Sequence, residues 1–98
     1  MTWAMDRAVG EVLKALRRRG IDRETLIVVT NDNGGDRIGI GADNGSLRGT
    51  KGTLLEGGIR VPLIVRFPEA EQGGRQSSPV SLLDIAPTIL AVSGLPSP

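Results

Sequence analysis

Residues 31–35 read Asn-Asp-Asn-Gly-Gly and place two hard oxygen donors side by side. Asp32 offers a carboxylate and Asn33 offers an amide carbonyl, which are ligand types that Ca²⁺ and Mg²⁺ prefer in proteins. The two glycines allow a sharp turn, so neighbouring side chains could converge on one ion. The same residues also spell an ordinary turn, because Asn-Gly pairs favour tight turns. Taken alone, the segment is consistent with either a cation site or an ordinary turn.

Lys51 is one of only two lysines, and it stands in the stretch Gly-Thr-Lys-Gly-Thr at residues 49–53. An ammonium group with small neighbours can approach an oxyanion closely. The stretch lacks the glycine spacing of a phosphate-binding P-loop, and no G-x-G-x-x-G motif follows a strand. A solvated loop lysine is the alternative that the local pattern favours.

The composition narrows the chemistry further. The 98 residues contain no Cys and no His, which removes thiol nucleophiles, thiolate zinc sites and the usual general base. A net charge of +1 creates no overall electrostatic field that would attract nucleic acid. The arginine run at residues 17–19 is interpreted as a solvated helix end. No apolar run approaches the roughly 18 residues of a membrane span, and no signal peptide pattern follows Met1. Neither nucleic acid nor a membrane is an expected partner.

Apolar residues recur at helical spacing in two places. This spacing predicts one helix over about residues 2–19 and a second over residues 82–92. Gly20 and Gly94 are expected to end these helices in the left-handed conformation. Asp84 is expected to cap the second helix.

Two β-branched runs predict strands at residues 25–30 and 60–67, with Pro62 at the start of the second strand or on an edge. The first run does not alternate, which is typical of a strand buried on both faces of a parallel sheet. Between the strands, residues 31–59 hold nine of the 14 glycines and indicate an ordered, functional loop. Because ligands bind beyond the carboxyl ends of strands in open α/β sheets, residues 31–35 are well placed. The order of helix, strand, long loop, strand and helix predicts an α/β fold, although two strands do not make a sheet that can stand alone.

Three stretches stand in a recognisable order. They read Asn-Asp-Asn-Gly-Gly at residues 31–35, Asn-Gly-Ser-Leu-Arg-Gly-Thr-Lys-Gly-Thr-Leu-Leu-Glu-Gly-Gly-Ile-Arg-Val-Pro at residues 44–62, and Leu-Asp-Ile-Ala-Pro-Thr-Ile-Leu at residues 83–90. Together they resemble the C-terminal half of the catalytic domain of arylsulfatase-type sulfatases, in the alkaline-phosphatase-like superfamily. The resemblance covers nearly the whole chain and is most specific at residues 51–62.

The resemblance implies a partial alkaline-phosphatase-like fold and hydrolysis of sulfate esters with a formylglycine nucleophile and a bound Ca²⁺. By motif match, Asp32 and Asn33 would be calcium ligands, and Lys51 would contact the sulfate group of the substrate. The family's nucleophile arises from a Cys or Ser in a C/S-x-P-x-R motif, which this chain lacks. The family's N-terminal aspartate pair, second lysine and active-site histidines are also missing. Calcium takes six to eight oxygens, so two ligands cannot complete the site.

Residues 1–98 are therefore expected to form a single incomplete domain, the C-terminal portion of a sulfatase catalytic domain that needs its N-terminal half. A sulfate-ester small molecule or glycan is the expected substrate, its alcohol part shaped by the loop at residues 36–43, and the chain alone is expected to be inactive. A related phosphatase or phosphonate-ester hydrolase and a non-enzymatic binding or structural module are the alternatives. The compartment cannot be read from the sequence, although family members are commonly exported or lysosomal.

Overall fold

The computed structural model describes residues 2–96. The elements in chain order are α1 (Thr2–Arg18), β1 (Ile27–Thr30), α2 (Glu56–Ile59), β2 (Leu63–Arg66), a 3₁₀ turn (Leu82–Asp84) and α3 (Ile85–Val92). The predicted order of helix, strand, long loop, strand and helix is present, and α2 is an addition within the predicted loop. These elements are compatible with part of an α/β fold. One compact unit is formed by Ile27–Val65, and the other by the described residues before and after that stretch.

Glycine ends both long helices, as the sequence predicts. Gly20 has a φ of +70°, and its N–H donates to the carbonyl of Arg17 at 3.0 Å. The next N–H, that of Ile21, donates to the carbonyl of Leu16 at 3.2 Å. This pair of hydrogen bonds is the Schellman arrangement, which needs a left-handed residue. Gly94, also at a φ of +70°, ends α3.

The start of the last helix differs from the prediction. Ser81, rather than Asp84, is the capping residue, and its hydroxyl accepts a hydrogen bond from the Leu83 N–H at 3.2 Å. The Asp84 carboxylate reaches back and accepts from the Ser81 N–H at 2.7 Å. The two residues thus form a reciprocal capping box. Asp84 makes no side-chain cap to α3, because its carboxylate already serves the preceding 3₁₀ turn.

The two strands are neighbours in a two-stranded sheet. Each is shorter than predicted, and Pro62 lies directly before β2, where its missing N–H costs no ladder hydrogen bond. The carbonyl of Pro62 accepts a hydrogen bond from the Thr30 hydroxyl at 2.8 Å. The expectation that the first strand is buried on both faces is wrong for this structure, because all four residues of β1 are only half-buried.

Large apolar side chains remain exposed over the described part of the chain. Leu54 is 91% exposed, Leu83 is 84% exposed and Ile64 in β2 is 64% exposed. No hydrophobic side chain is buried in the described residues. The glycine residues Gly57 and Gly58 of α2 are buried. Burial among the described residues is therefore confined to glycine backbone, without a hydrophobic core. Within residues 2–96, no helix has the length and apolar character that crossing a membrane requires.

Candidate functional site

Asp32 and Asn33 lie just beyond the carboxyl end of β1, as the sequence predicts. Asp32 is exposed, and one of its carboxylate oxygens accepts a hydrogen bond from the Asn33 N–H at 3.0 Å. Asn33 is half-buried, and its Nδ2 donates to the carbonyl of Gly34 at 2.8 Å. That hydrogen bond orients the amide group and engages its NH₂ end. The Asn33 Oδ1 accepts no hydrogen bond from the described residues, so it remains available as a ligand.

Lys51 is brought next to this segment by its own backbone. Its N–H donates to the carbonyl of Gly35 at 3.2 Å, and the Thr50 hydroxyl donates to the same carbonyl at 3.1 Å. Gly35 is two residues beyond Asn33, so the two predicted motifs meet at one carbonyl group. The Lys51 side chain is exposed and forms no ion pair with the described residues. Its ammonium group is therefore free to meet an anion.

Glycine backbones pack directly against one another behind these side chains. The Gly34 N–H donates to the carbonyl of Gly58 at 2.9 Å, and the Gly57 N–H donates to the carbonyl of Arg48 at 2.7 Å. A Cβ on Gly58 would lie 2.6 Å from the Thr50 carbonyl oxygen, and a Cβ on Gly34 would lie 2.8 Å from the Gly57 carbonyl carbon. Such distances are too short for real Cβ atoms. This close approach explains why glycine is needed at these positions of the long loop.

Asn44 was not singled out by the sequence, yet it joins three segments of the loop. Its Oδ1 accepts from the Gly35 N–H at 2.9 Å. Its Nδ2 lies 3.0, 3.1 and 3.0 Å from the carbonyl oxygens of Gly35, Gly49 and Gly57 respectively, and its two N–H groups are shared among the three acceptors. Nothing local marks this role, because Asn-Gly at residues 44–45 reads as a turn. The only available signal was its position inside the second of the three motifs.

The intervening residues 36–43 form a turn organised by Asp36. One oxygen of its carboxylate accepts from the backbone N–H groups of Ile38 at 3.1 Å and Gly39 at 2.7 Å. The Ala42 N–H donates to the Asp36 carbonyl at 3.0 Å and closes the turn. Ile38 is 87% exposed and Ile40 is 66% exposed. The turn thus presents two apolar side chains in the segment predicted to shape substrate choice.

The donor set fits a hard cation by type but not by number. Asp32 and Asn33 supply a carboxylate and an amide oxygen, the chemistry that calcium prefers. No group of three or more His, Cys, Asp or Glu residues that could hold a metal ion occurs within residues 2–96. A calcium ion bound here would therefore need further oxygens from outside these residues.

Comparisons with known proteins agree with the motifs. The model of the sulfatase family matches residues 3–95. The chain is 42% identical to steryl-sulfatase of Mus musculus and 38% identical to arylsulfatase A of Homo sapiens, each match covering 96% of this chain. It is 41% identical to arylsulfatase H of Homo sapiens over 92% of this chain.

The chain spans less than a fifth of the length of these relatives, 16%, 19% and 17% respectively. No solved structure matches it significantly. Because the family model and these relatives are all sulfatases, the alternative of a phosphate- or phosphonate-ester hydrolase is not favoured. With nearly its whole length matched by the family model, this chain belongs to the sulfatase family.

Proposed function

We propose that this chain supplies one part of a calcium-dependent active site that hydrolyses sulfate esters. The observation that supports this most directly is the hydrogen bond from the Lys51 N–H to the Gly35 carbonyl. It joins the backbone of Lys51 to the residue two positions beyond Asn33, so the lysine and the oxygen donors stand on neighbouring segments. A positive side chain beside hard oxygen ligands is what recognition of a sulfate group by a lysine and a metal ion together requires.

Lys51 is proposed to contact the sulfate group of the substrate. Its ammonium group is a compact point charge on a flexible stem, and no carboxylate of the described residues neutralises it. As the sulfuryl group is transferred, this charge would stabilise the negative charge on its oxygens. The backbone of Lys51 is fixed by Gly35, which limits where the ammonium group can reach.

Asp32 and Asn33 are proposed to hold the calcium ion. When bound, the ion would polarise the sulfate oxygens and favour attack on sulfur. The hydrogen bond to the Gly34 carbonyl orients the Asn33 amide, and its Oδ1 accepts no hydrogen bond from the described residues. The remaining ligands are proposed to come from sequence outside this chain, because these two residues supply too few oxygens.

The nucleophile is also proposed to come from outside this chain. The chain contains no Cys, and none of its serines stands in a C/S-x-P-x-R motif. One hydroxyl of a hydrated formylglycine upstream of the matched segment would attack the sulfur atom and displace the alcohol of the ester. The chain is accordingly proposed to be the C-terminal portion of a single catalytic domain. A sulfate ester of a small molecule or a glycan is the proposed substrate.

The experiment restores the missing part of the domain. This chain replaces the segment of human arylsulfatase A that it matches, and the product, here called the fusion protein, is assayed with p-nitrophenyl sulfate and p-nitrophenyl phosphate. We expect turnover of the sulfate ester that scales with protein concentration, and much slower turnover of the phosphate ester. A folded fusion protein that cleaves only the phosphate ester, or neither ester, contradicts the proposal.

Removal of the metal tests the calcium ligands separately. We expect a chelator to abolish sulfate-ester turnover by the fusion protein and added Ca²⁺ to restore it. Asp32→Asn should raise the Ca²⁺ concentration needed for half-maximal recovery, because a charged ligand becomes neutral. Asp22→Asn is the matched control, since Asp22 is a carboxylate outside the proposed site. An equal Ca²⁺ requirement in both variants contradicts the assignment of Asp32.

A further inference from the structure

Asn44 concentrates four hydrogen bonds in one half-buried amide group. Its oxygen accepts from the Gly35 N–H, and its two N–H groups are shared among the carbonyls of Gly35, Gly49 and Gly57, all within 2.9–3.1 Å. These partners belong to three separate stretches of the loop. One side chain therefore holds the calcium-ligand segment, the lysine segment and the short helix α2 in a fixed arrangement.

The Gly35 carbonyl is the point where this amide meets Lys51. It accepts from the Asn44 Nδ2 at 3.0 Å, from the Lys51 N–H at 3.2 Å and from the Thr50 hydroxyl at 3.1 Å. Because Asn44 binds both the N–H and the carbonyl of Gly35, it fixes the orientation of that residue. It also holds the carbonyl of Gly49, two residues before Lys51. Asn44 therefore restrains both the carbonyl that accepts from the Lys51 N–H and the chain just before Lys51.

The cost of losing this amide falls on the backbone. Gly57 is buried, and without Asn44 its carbonyl would lose the 3.0 Å hydrogen bond from Nδ2. The Gly35 N–H would lose its acceptor as well. A buried polar group without a partner destabilises the arrangement that leaves it unpaired. The three stretches would then shift until water or other groups satisfied these atoms.

We propose that Asn44 is a positioning residue for the sulfatase reaction, which sets the place of Lys51 relative to Asp32 and Asn33 without touching the substrate. The inference rests on the proposed function, because it assigns Asn44 a role through Lys51. A shift of about 1 Å in a group that contacts the transition state can cost about a hundredfold in rate. Aspartate cannot replace Asn44, because a carboxylate accepts from the Gly35 N–H but donates to none of the three carbonyls.

A double-mutant cycle in the fusion protein tests the inference. Asn44→Ala, Lys51→Ala and the double variant are compared by kcat and KM for p-nitrophenyl sulfate, corrected for the folded fraction. We expect Asn44→Ala to lower kcat about a hundredfold, and the double variant to be no slower than Lys51→Ala, because Asn44 acts through Lys51. Asn44→Asp should be as slow as Asn44→Ala. Gln72→Ala, which removes an exposed amide outside the three motifs, is the matched control and should keep wild-type kcat.

Amide hydrogen exchange gives a readout that does not depend on catalysis. The Gly35 N–H should exchange slowly in the wild-type fusion protein and faster in Asn44→Ala, while the Gly34 N–H, which donates to Gly58, should change less. If the double variant is slower than Lys51→Ala by the full factor measured for Asn44→Ala, the positioning role is overturned while the proposed function stands. An unchanged kcat per folded molecule in Asn44→Ala has the same consequence. A wild-type fusion protein that folds with a protected Gly35 N–H but has no sulfatase activity refutes the proposed function instead.

Discussion

Replacing Lys51 by alanine separates chemistry from folding. The Lys51 side chain is exposed and unpaired among the described residues, and its one hydrogen bond to Gly35 comes from the backbone, which alanine keeps. The free energy of unfolding should therefore change by less than about 0.5 kcal/mol, as for an ordinary surface substitution. Loss of a charge that stabilises the transferring sulfuryl group should raise the barrier by about 3 kcal/mol, or slow the reaction at least a hundredfold.

The assay measures kcat/KM for p-nitrophenyl sulfate together with the melting temperature of the fusion protein. Lys14→Ala is the matched control, because Lys14 is the only other lysine and pairs with Glu11 on α1 at 2.9 Å. It should change the stability by a few tenths of a kcal/mol at most and leave kcat/KM unchanged. Lys51→Arg should restore only part of the rate, because a guanidinium group is larger and planar. Near wild-type kcat/KM in Lys51→Ala would show that Lys51 is a solvated loop lysine.

Three further results are expected. The 98-residue chain alone should not hydrolyse an aryl sulfate, because it carries no nucleophile of the required type; turnover that scales with the purified chain would contradict this. The same chain should show no sharp melting transition by calorimetry, because side chains such as Leu54 and Leu83 lack apolar cover; a cooperative melt of a monomer would show otherwise. In the fusion protein, Gly58→Ala should lower the melting temperature strongly, since its Cβ would clash with the Thr50 carbonyl, whereas Gly10→Ala, which meets nothing within 4 Å, should stabilise α1 by about 0.5–1 kcal/mol.

The parts of the fold that could be predicted from the sequence are those that depend on neighbouring residues. The glycine that ends α1 is an example, because the Schellman hydrogen bonds at Gly20 span only a few residues. Pro62 was correctly expected at the start of a strand for a similarly local reason, its missing N–H. At the start of the last helix, the sequence predicts capping by Asp84 but not the part played by Ser81. Both Ser81 and Asp84 can cap, and the sequence does not show which of them faces which backbone N–H.

The parts that could not be predicted depend on residues far apart in the chain. Helix α2 contains Gly57 and Gly58, which disfavour a helix on their own, and it is fixed by contacts with the stretch around Arg48 and Thr50. The role of Asn44 was missed because its partners lie 5, 9 and 13 positions away. The roles of Asp32, Asn33 and Lys51 came from motif resemblance, and they remain predictions.

The glycine-rich frame behind the site has a consequence for how it becomes ordered. Glycine loses more conformational entropy on folding than any other residue, and each ordered position costs about 1–2 kcal/mol or more. Five such residues meet in this frame, at positions 34, 35, 49, 57 and 58. The compensating contacts are hydrogen bonds that join distant stretches, some between main-chain groups and others from the Asn44 side chain, so none forms fully until the others are near. The segment that carries Lys51 and the proposed calcium ligands should therefore order in one cooperative step, late in folding, when surrounding structure already confines the chain.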